Sequence, residues 1–427
     1  MSDIVFIHQN FPAQFLNLQK FLSQRGIRNL AFKAKGNHFQ FYESESDPAE
    51  VHEYSYTRAS TPNIHPWAVD LESKVIRVHS LMNYVIQNRL HLLQPKIVIG
   101  HPGWGELFSV REIWPAAKLI GFCEFYYDDE MSDAHYDPEF TDHSSVSTIE
   151  SRLITASTIK LKNLFLDKTL AEMDEGISPT VWQKSKFPQH FHHKINAIHE
   201  GVDTDMLAKY SSNAQPITID DAQISPGDQI LTFVSRNLEP YRGYHVLMRL
   251  APLLLSRYPH LKIIIIGGTG KGYGPLPDPA KYGNKSWKDI FFEESFAQVD
   301  DQIKSRVKYL GNISHSDFLS VLSVSMLHVY YSYPFVVSWS LLEAMGMGLP
   351  IVCNDVESIG EICKDQENGL AANLFDLDRQ FQNICTLLEN ADLRRTMAQR
   401  NKRVIREHYD CHRNSERIYE QVLKKYL

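Results

Sequence analysis

Short apolar runs alternate with helix-spaced stretches from one end of the chain to the other. In the first half, residues 4–7, 96–100, 118–122 and 195–199 read as strands, while 14–24, 67–93 and 151–173 carry the spacing of helices. That alternation is the signature of parallel sheets flanked by helices, so an α/β class with two sheets is expected. Residues 207–228 interrupt the pattern with polar side chains, two prolines and a glycine, and read as a linker. Beyond them, 230–235 and 261–268 begin a second sheet, joined by an amphipathic helix through Val246, Leu247, Leu250, Leu253 and Leu254. The unbroken isoleucines at 263–266 predict a strand buried on both faces. The expected partition is therefore a domain over 1–206, the linker over 207–228 and a second domain over 229–408. A last helix over 409–427 is read as a brace running back to the first domain. The Gly- and Pro-rich excursion at 269–287 is long for a loop and is expected to be a flexible lid.

Length agrees with this partition, since 427 residues exceed what one core usually organises. Hydrophobic residues make up 43% and charged residues 22%, an ordinary balance for a globular chain, and the net charge of -7 argues against nucleic acid as the main partner. Cys123, Cys353, Cys363, Cys385 and Cys411 are scattered without metal spacing, which points to reduced thiols and a cytoplasmic setting. The chain runs from Met1 straight into an apolar strand, so neither a signal peptide nor a membrane span is expected, and at most peripheral membrane contact.

Candidate chemistry gathers in two places of the second half. In 333–352, Pro334 stops a strand and Ser340 opens a helix carrying Leu341, Leu342, Ala344 and Met345, with Gly346 and Gly348 closing it. The amides of Ser338, Trp339 and Ser340 then lie at a helix N-terminus, where free N–H groups favour an anion. Glu343 has two readings on the residues alone. It either accepts hydroxyl hydrogen bonds from a ribose or reaches back to Ser340 in a capping box. The second place is the turn 235–243, which follows a strand at the edge where doubly wound sheets bind ligands. Arg236 and Arg242 there are either a pair converging on a diphosphate, which guanidinium forks suit, or solvated surface arginines.

The segments 233–250, 307–352 and 368–370 resemble glycosyltransferase family 4, retaining enzymes of the GT-B fold. The first half, with 6-FIHQNFPAQF-15, 121-GFCEFYYDDE-130 and 176-GISPTVWQKSKFP-188, is similar to a bacterial subgroup with a His-Gln-Asn-Phe-Pro segment in its first loop. The resemblance implies two Rossmann-like, doubly wound parallel-sheet domains facing a central cleft. It also implies a nucleotide-sugar donor on the second domain and a glycan or lipid-linked acceptor mainly on the first. Carried over residue by residue, the family's basic pair falls on Arg236 and, with Arg in place of Lys, on Arg242, which would hold the diphosphate. The second acid of the family's acidic motif falls on Glu343, for the ribose, and its first acid falls on Phe335. With no acid at Phe335, the donor sugar would be met by the backbone at Val336, Val337 and Ser338, with Gly268 completing the donor side.

On the first domain, His101 follows a strand and matches a histidine that the family has near the reacting centre; without the family it reads as a structural hydrogen-bonding residue. Gln9, Asn10 and Phe11 occupy the first strand-to-helix loop and are expected to line the acceptor site. The function so implied is transfer of a hexose from a nucleotide-diphosphate sugar, UDP ahead of GDP, in bacterial surface polysaccharide or lipopolysaccharide synthesis, without metal or other cofactor. A non-catalytic partner subunit and a nucleotide-sugar epimerase are the other classes the same residues suit.

Two further clusters draw the eye. Asp128, Asp129, Glu130, Asp133, Asp137, Glu139 and Asp142 crowd one loop and suggest a divalent cation, but they lack EF-hand spacing and lie in the wrong half for the donor, so no metal site is expected. His190, His192 and His193 have no framing acids or cysteines and read as a solvated segment rather than a zinc site.

Overall fold

In the computed structural model, residues 3–36, 50–127, 132–140, 149–219 and 222–427 are described. The chain divides into two compact units. One comprises Met1–Met131, Asp142–Gly201 and Tyr409–Leu427, and the other Ser132–Thr141 and Val202–His408.

The first unit is built on a seven-stranded sheet of order β3-β2-β1-β4-β5-β6-β7. Its strands are β1 (Ile4–Ile7), β2 (Asn29–Ala34), β3 (Glu50–Tyr54), β4 (Ile97–Gly100), β5 (Lys118–Phe122), β6 (Glu175–Ser178) and β7 (Ile195–Ala197), all parallel. Period-two alternation explains why β1 is apolar throughout. Val5 and Ile7 enter one core with Val98 and Leu119, while Ile4 and Phe6 enter the other with Ile97, Ile99 and Ile120. That second core also takes Ile418, Val422 and Leu423 from the C-terminal stretch. Strand order reverses between β1 and β4, and the crevice beside such a switch point is where sheets of this kind take ligands. The loops leaving β1 and β4 carry His8 to Phe11 and His101.

The second unit repeats the plan with six parallel strands ordered β12-β11-β10-β13-β14-β15. They are β10 (Gln229–Asn237), β11 (Leu261–Gly268), β12 (Val307–Gly311), β13 (Leu327–Tyr330), β14 (Ile351–Asn354) and β15 (Gly369–Ala372). Here the order reverses between β10 and β13, so the turn with the two arginines and the loop before the Glu343 helix leave adjacent strands. No helix among the described residues is long and apolar enough to cross a membrane. All five cysteines are buried, and none is in a disulfide.

Several expectations change in detail. The first long helix is shorter than 67–93, running over Val69–Gln87 between short turns at Pro66–Ala68 and Leu90–Leu92. Residues 207–228 are not a bare linker. A helix over Thr204–Ser212, capped by the Asp203 side chain, buries Leu207 against Gly346 of the second unit, where a Cβ would lie only 2.5 Å from it. An antiparallel hairpin, β8 (Ile217–Ile219) with β9 (Ala222–Ile224), follows. One buried side chain per helix leaves too little apolar signal for the composition to reveal it.

The 269–287 excursion is fastened rather than loose at its start. Glu239 accepts from the amides of Tyr273 and Gly274 at 3.0 and 2.9 Å, and Asn237 engages Gly270 and Lys271 at 3.0 Å each. Trp287 Nε1 donates to the Pro275 carbonyl at 2.9 Å.

Candidate donor and acceptor sites

At the end of β10 the register slips between Val234 and Asn237, and a turn over Pro240–Arg242 leads into the helix Tyr244–Arg257. Gly243 permits that passage. Its φ is +66°, and a Cβ there would stand 2.3 Å from the Tyr331 side chain. The turn carries Arg242 inward, where it is 7% exposed. Its Nη1 donates to Ser332 Oγ at 2.8 Å, to the Val336 carbonyl at 3.3 Å and to Tyr330 Oη at 3.4 Å. The guanidinium carbon lies 5.1 Å from the Tyr273 ring centre and 5.9 Å from that of Phe335. No carboxylate pairs with Arg242 among the described residues; Glu239, the acid nearest in sequence, spends its oxygens on loop amides. The direct contacts of Arg242 are neutral dipoles and ring faces, the charge of Glu239 acts on it without pairing, and an incoming anion lowers the remaining cost of burying the cation. Arg236 differs: it stands exposed at the penultimate position of β10.

The helix beyond β13 spans Trp339–Met347, one residue earlier than expected, with Ser338 as its cap. Two of the three expected anion-binding amides are already engaged. Ser338 N donates to Tyr330 Oη at 2.8 Å, and Ser340 N to Ser338 Oγ at 3.3 Å. The capping box between Ser340 and Glu343 does not form, because the cap lies two residues before Ser340. Instead Glu343, 4% exposed, places Oε1 2.6 Å from His315 Nε2. His315 opens the helix His315–Ser323 after β12. Nothing in its local pattern set it apart from a surface polar residue.

Phe335 packs in an aromatic group, with ring centres 5.4 Å from Tyr241 and 5.0 Å from Tyr273, and Tyr241 lies 4.8 Å from Tyr333. Val337 is buried, the Val336 carbonyl is taken by Arg242, and Gly268 ends β11, where a Cβ would meet Asn237 and Asn312 at 3.0 Å.

The described part of the acidic loop, residues 132–140, belongs to this second unit and not to the first half as expected. Asp133 Oδ2 accepts from Tyr241 Oη at 2.7 Å, and Asp137 Oδ2 accepts from Tyr333 Oη at 2.6 Å and pairs with His245 at 3.1 Å. Burial pushes the Asp137 carboxyl up, but the hydrogen bonds from His245 and Tyr333 outweigh it and hold it below the ordinary carboxylate value. Asp137, Glu139 and His245 bring one donor atom each within 4.8 Å of one another, a spacing that would suit a cation. Glu139 is, however, clamped by both Nη atoms of Arg249 at 2.7 Å, so the acids serve as internal anchors. Asp128, Asp129, Glu130 and Asp142 lie outside the described residues.

In the first unit, His8 ends β1 and His101 follows β4. Each imidazole accepts at Nδ1 from an amide two residues on, Asn10 N at 3.2 Å and Gly103 N at 3.1 Å. That assignment puts the ring proton on Nε2 of the neutral form. His101 Nε2 then faces Glu124 Oε2 at 3.2 Å, just past β5. Both rings lean on Trp104, at 4.5 Å for His8 and 4.6 Å for His101. Burial, and then the charge of His101, hold the His8 pKa well below the usual histidine value. His8, Trp104 and Glu124 escaped the sequence reading, although His8 opens the motif whose next three residues it singled out.

Of those three, Phe11 is not a lining residue. It is 4% exposed and packs on Phe6 at 5.7 Å in the core. Gln9 and Asn10 are half-buried, and the Gln9 carbonyl accepts from Ala34 N at 3.1 Å. His192 and His193 bond to the Phe187 and His190 carbonyls at 2.7 and 2.8 Å, as structural turn residues do.

Residues 32–207 match the family model described as Glycosyl transferase family 4 group, and 217–404 that described as Glycosyl transferases group 1. D-inositol 3-phosphate glycosyltransferase of Corynebacterium efficiens is 23% identical over 208 residues, 48% of this chain and 45% of that protein. Phosphatidyl-myo-inositol mannosyltransferase of Propionibacterium freudenreichii is 21% identical over 277 residues, 63% of this chain and 61% of that protein. The matched part thus spans about half the length of the first of these relatives. Sucrose-phosphate synthase from Thermosynechococcus elongatus superposes over 100% of both chains with a TM-score of 0.67 at 14% identity. An Anabaena protein solved with UDP and glucose covers 99% of this chain and 100% of its own, with a TM-score of 0.61 at 15% identity. Both likenesses concern the fold, which is GT-B.

Proposed function

The chain belongs to glycosyltransferase family 4, with a group 1 domain in its second half, and from that premise we propose that it is a retaining hexosyltransferase. Its donor is a nucleotide-diphosphate sugar, UDP ahead of GDP, and its acceptor a hydroxyl of a glycan or lipid-linked molecule. The observation that carries this reading is the buried Arg242, without a carboxylate partner among the described residues, at the switch point of the second sheet. A diphosphate supplies the directly bonded anion that Glu239, engaged with loop amides, does not. Arg236, exposed at the end of the same strand, adds field from the solvent side, and Glu343 is the acceptor for ribose hydroxyls. Support for UDP comes from the Anabaena protein, solved with it, and for a lipid acceptor from the Propionibacterium relative, a phosphatidyl-myo-inositol mannosyltransferase.

In front-face retention, the acceptor oxygen bonds to the anomeric carbon on the side from which the diphosphate departs. Negative charge grows on the departing phosphate oxygen, and a fixed guanidinium in a poorly solvated site stabilises it more than water does. That oxygen takes the acceptor proton, so no protein nucleophile and no metal is required. His101, whose Nε2 lies 3.2 Å from Glu124 Oε2 in the first unit, orients sugar or acceptor hydroxyls. The setting we propose is cytoplasmic synthesis of bacterial surface polysaccharide.

The aromatic packing of Phe335 favours a second reading, a subunit that binds nucleotide without turnover. One experiment separates the two. The protein is incubated with UDP- and GDP-sugars and simple glycan or lipid acceptors while nucleotide release, donor isomerisation and acceptor labelling are followed. Labelled acceptor supports transfer, nucleotide binding without release supports the subunit, isomerised donor supports an epimerase, and no binding of any donor removes the proposal.

A further inference from the structure

A short contact between polar side chains at the candidate donor site joins two elements that sequence reasoning kept apart. His315 Nε2 stands 2.6 Å from Glu343 Oε1, with the two side chains only 13% and 6% exposed. An ionised carboxylate only accepts, so Nε2 carries the hydrogen whatever the charge of the ring. The histidine backbone is itself fixed. His315 is the first residue of its helix, and Ser314 before it caps that helix by accepting from Asp317 N at 3.1 Å. Its ring lies 5.8 Å from Phe318 in the same helix. Glu343 sits on a helix whose start is likewise capped, by Ser338. The short contact therefore ties two rigid helices and sets the plane of one carboxylate.

We propose that His315 is the positioning residue for ribose recognition, holding the Glu343 carboxylate in the orientation that accepts from vicinal hydroxyls. The proposal rests on the reading of Glu343 as the ribose acceptor. A carboxylate offers about four lone-pair sites, and the imidazole takes one of them. Ordering the group before ligand arrives removes the entropy that a free glutamate would lose on binding. A residue that merely stabilised the fold would weaken all nucleotides alike. A residue that orients the ribose acceptor weakens only those that present the hydroxyls.

The test is calorimetric titration with UDP and 2′-deoxy-UDP, and with GDP and 2′-deoxy-GDP, on the full chain. The wild type is expected to prefer the ribonucleotide about tenfold or more, the scale of one charged hydrogen bond. His315→Phe keeps the ring and removes the donor, and is expected to bring that ratio to within about twofold of unity by weakening the ribonucleotide alone. His315→Gln, whose amide N–H can occupy the place of Nε2, is expected to restore most of the preference, and the shorter His315→Asn is not. A wild-type ratio in His315→Phe, or in His315→Asn should the Phe variant not fold, overturns the proposal, as does equal weakening of ribo- and deoxynucleotide. Failure of the wild type to bind any of the four ligands counts instead against the donor-site reading itself.

Discussion

The guanidinium carbon of Arg242 lies 5.1 Å from the centre of the Tyr273 ring. Tyr273 is kept there by Glu239, which grips the amides of Tyr273 and Gly274, and a Cβ at Gly272 would strike that same carboxylate. A face-on cation near a ring gains up to about 2 kcal/mol when desolvated, yet a ring quadrupole does not neutralise a full charge. The proposed diphosphate would meet an Arg242 whose position is already set by Ser332 and Val336.

Arg242→Ala is expected to lower turnover by about a hundredfold or more, the scale of losing one preorganised charge-stabilising donor. Arg242→Lys keeps the charge but loses the fork and the stacked face, so an intermediate rate is expected. Arg236→Ala acts through an exposed charge, and its effect should shrink as salt is raised. Nucleotide release at low and high ionic strength measures all three. Unchanged turnover in Arg242→Ala removes the residue from the mechanism.

His101→Ala is expected to leave UDP affinity within about twofold of wild type, because the residues proposed to hold the diphosphate belong to the other unit, while transfer falls by roughly a hundredfold. Glu124→Gln, which retains an accepting oxygen for the 3.2 Å contact with His101, should lose less. Binding by calorimetry and transfer by acceptor labelling must separate. A wild-type transfer rate in His101→Ala makes the histidine structural.

The apolar runs of β1, β4, β5 and β11 were legible because strands buried on both faces leave a continuous hydrophobic trace. Strands β2 and β3, with polar Asn29, Lys33 and Glu50, leave a weaker one and were not anticipated. Arg242 and Glu343 could be singled out because they sit beside glycines, prolines and helix starts that mark a sheet edge. Their partners could not. His315, Ser332 and Glu124 are ordinary polar residues whose meaning comes only from neighbours far along the chain. The acidic loop was assigned to the wrong half for the same reason: Asp133, Asp137 and Glu139 follow first-unit residues in sequence, and what they hold are Tyr241, Tyr333 and Arg249 of the second unit.

Acid should weaken the second unit through His328. This residue is wholly buried, its Nδ1 lies 3.0 Å from Thr232 Oγ1, and burial lowers its pKa to about 3. The unfolded chain takes up a proton near pH 6.5, whereas the folded one does not until about pH 3. Stability is therefore complete above pH 6.5 and falls between those values, by about 2 kcal/mol from pH 7 to pH 5. His8, also held low by burial, acts in the same direction on the first unit. Replacing the pair with His328→Leu and Thr232→Val, so that no polar group is orphaned, should flatten the acid limb. Urea unfolding at pH 7 and pH 5 reads the difference. An equal loss in wild type and double variant means that other groups carry the acid response.

Neither unit is continuous in sequence, and this constrains how the chain is made. Synthesis delivers residues 132–141 well before Tyr241, Tyr333, His245 and Arg249, the side chains that receive their anchors. The first unit waits longer still, since Ile418, Val422 and Leu423 complete a core begun by Ile4 and Phe6. The usual order, in which an N-terminal domain closes before the next emerges, is not open to this protein. On the ribosome the second unit stays unfinished until residues up to His408 have emerged, and the first until Leu423 has. The exposed faces around Phe15 and Leu22 on one side and Phe140 and Phe291 on the other are then the surfaces a chaperone would have to shield.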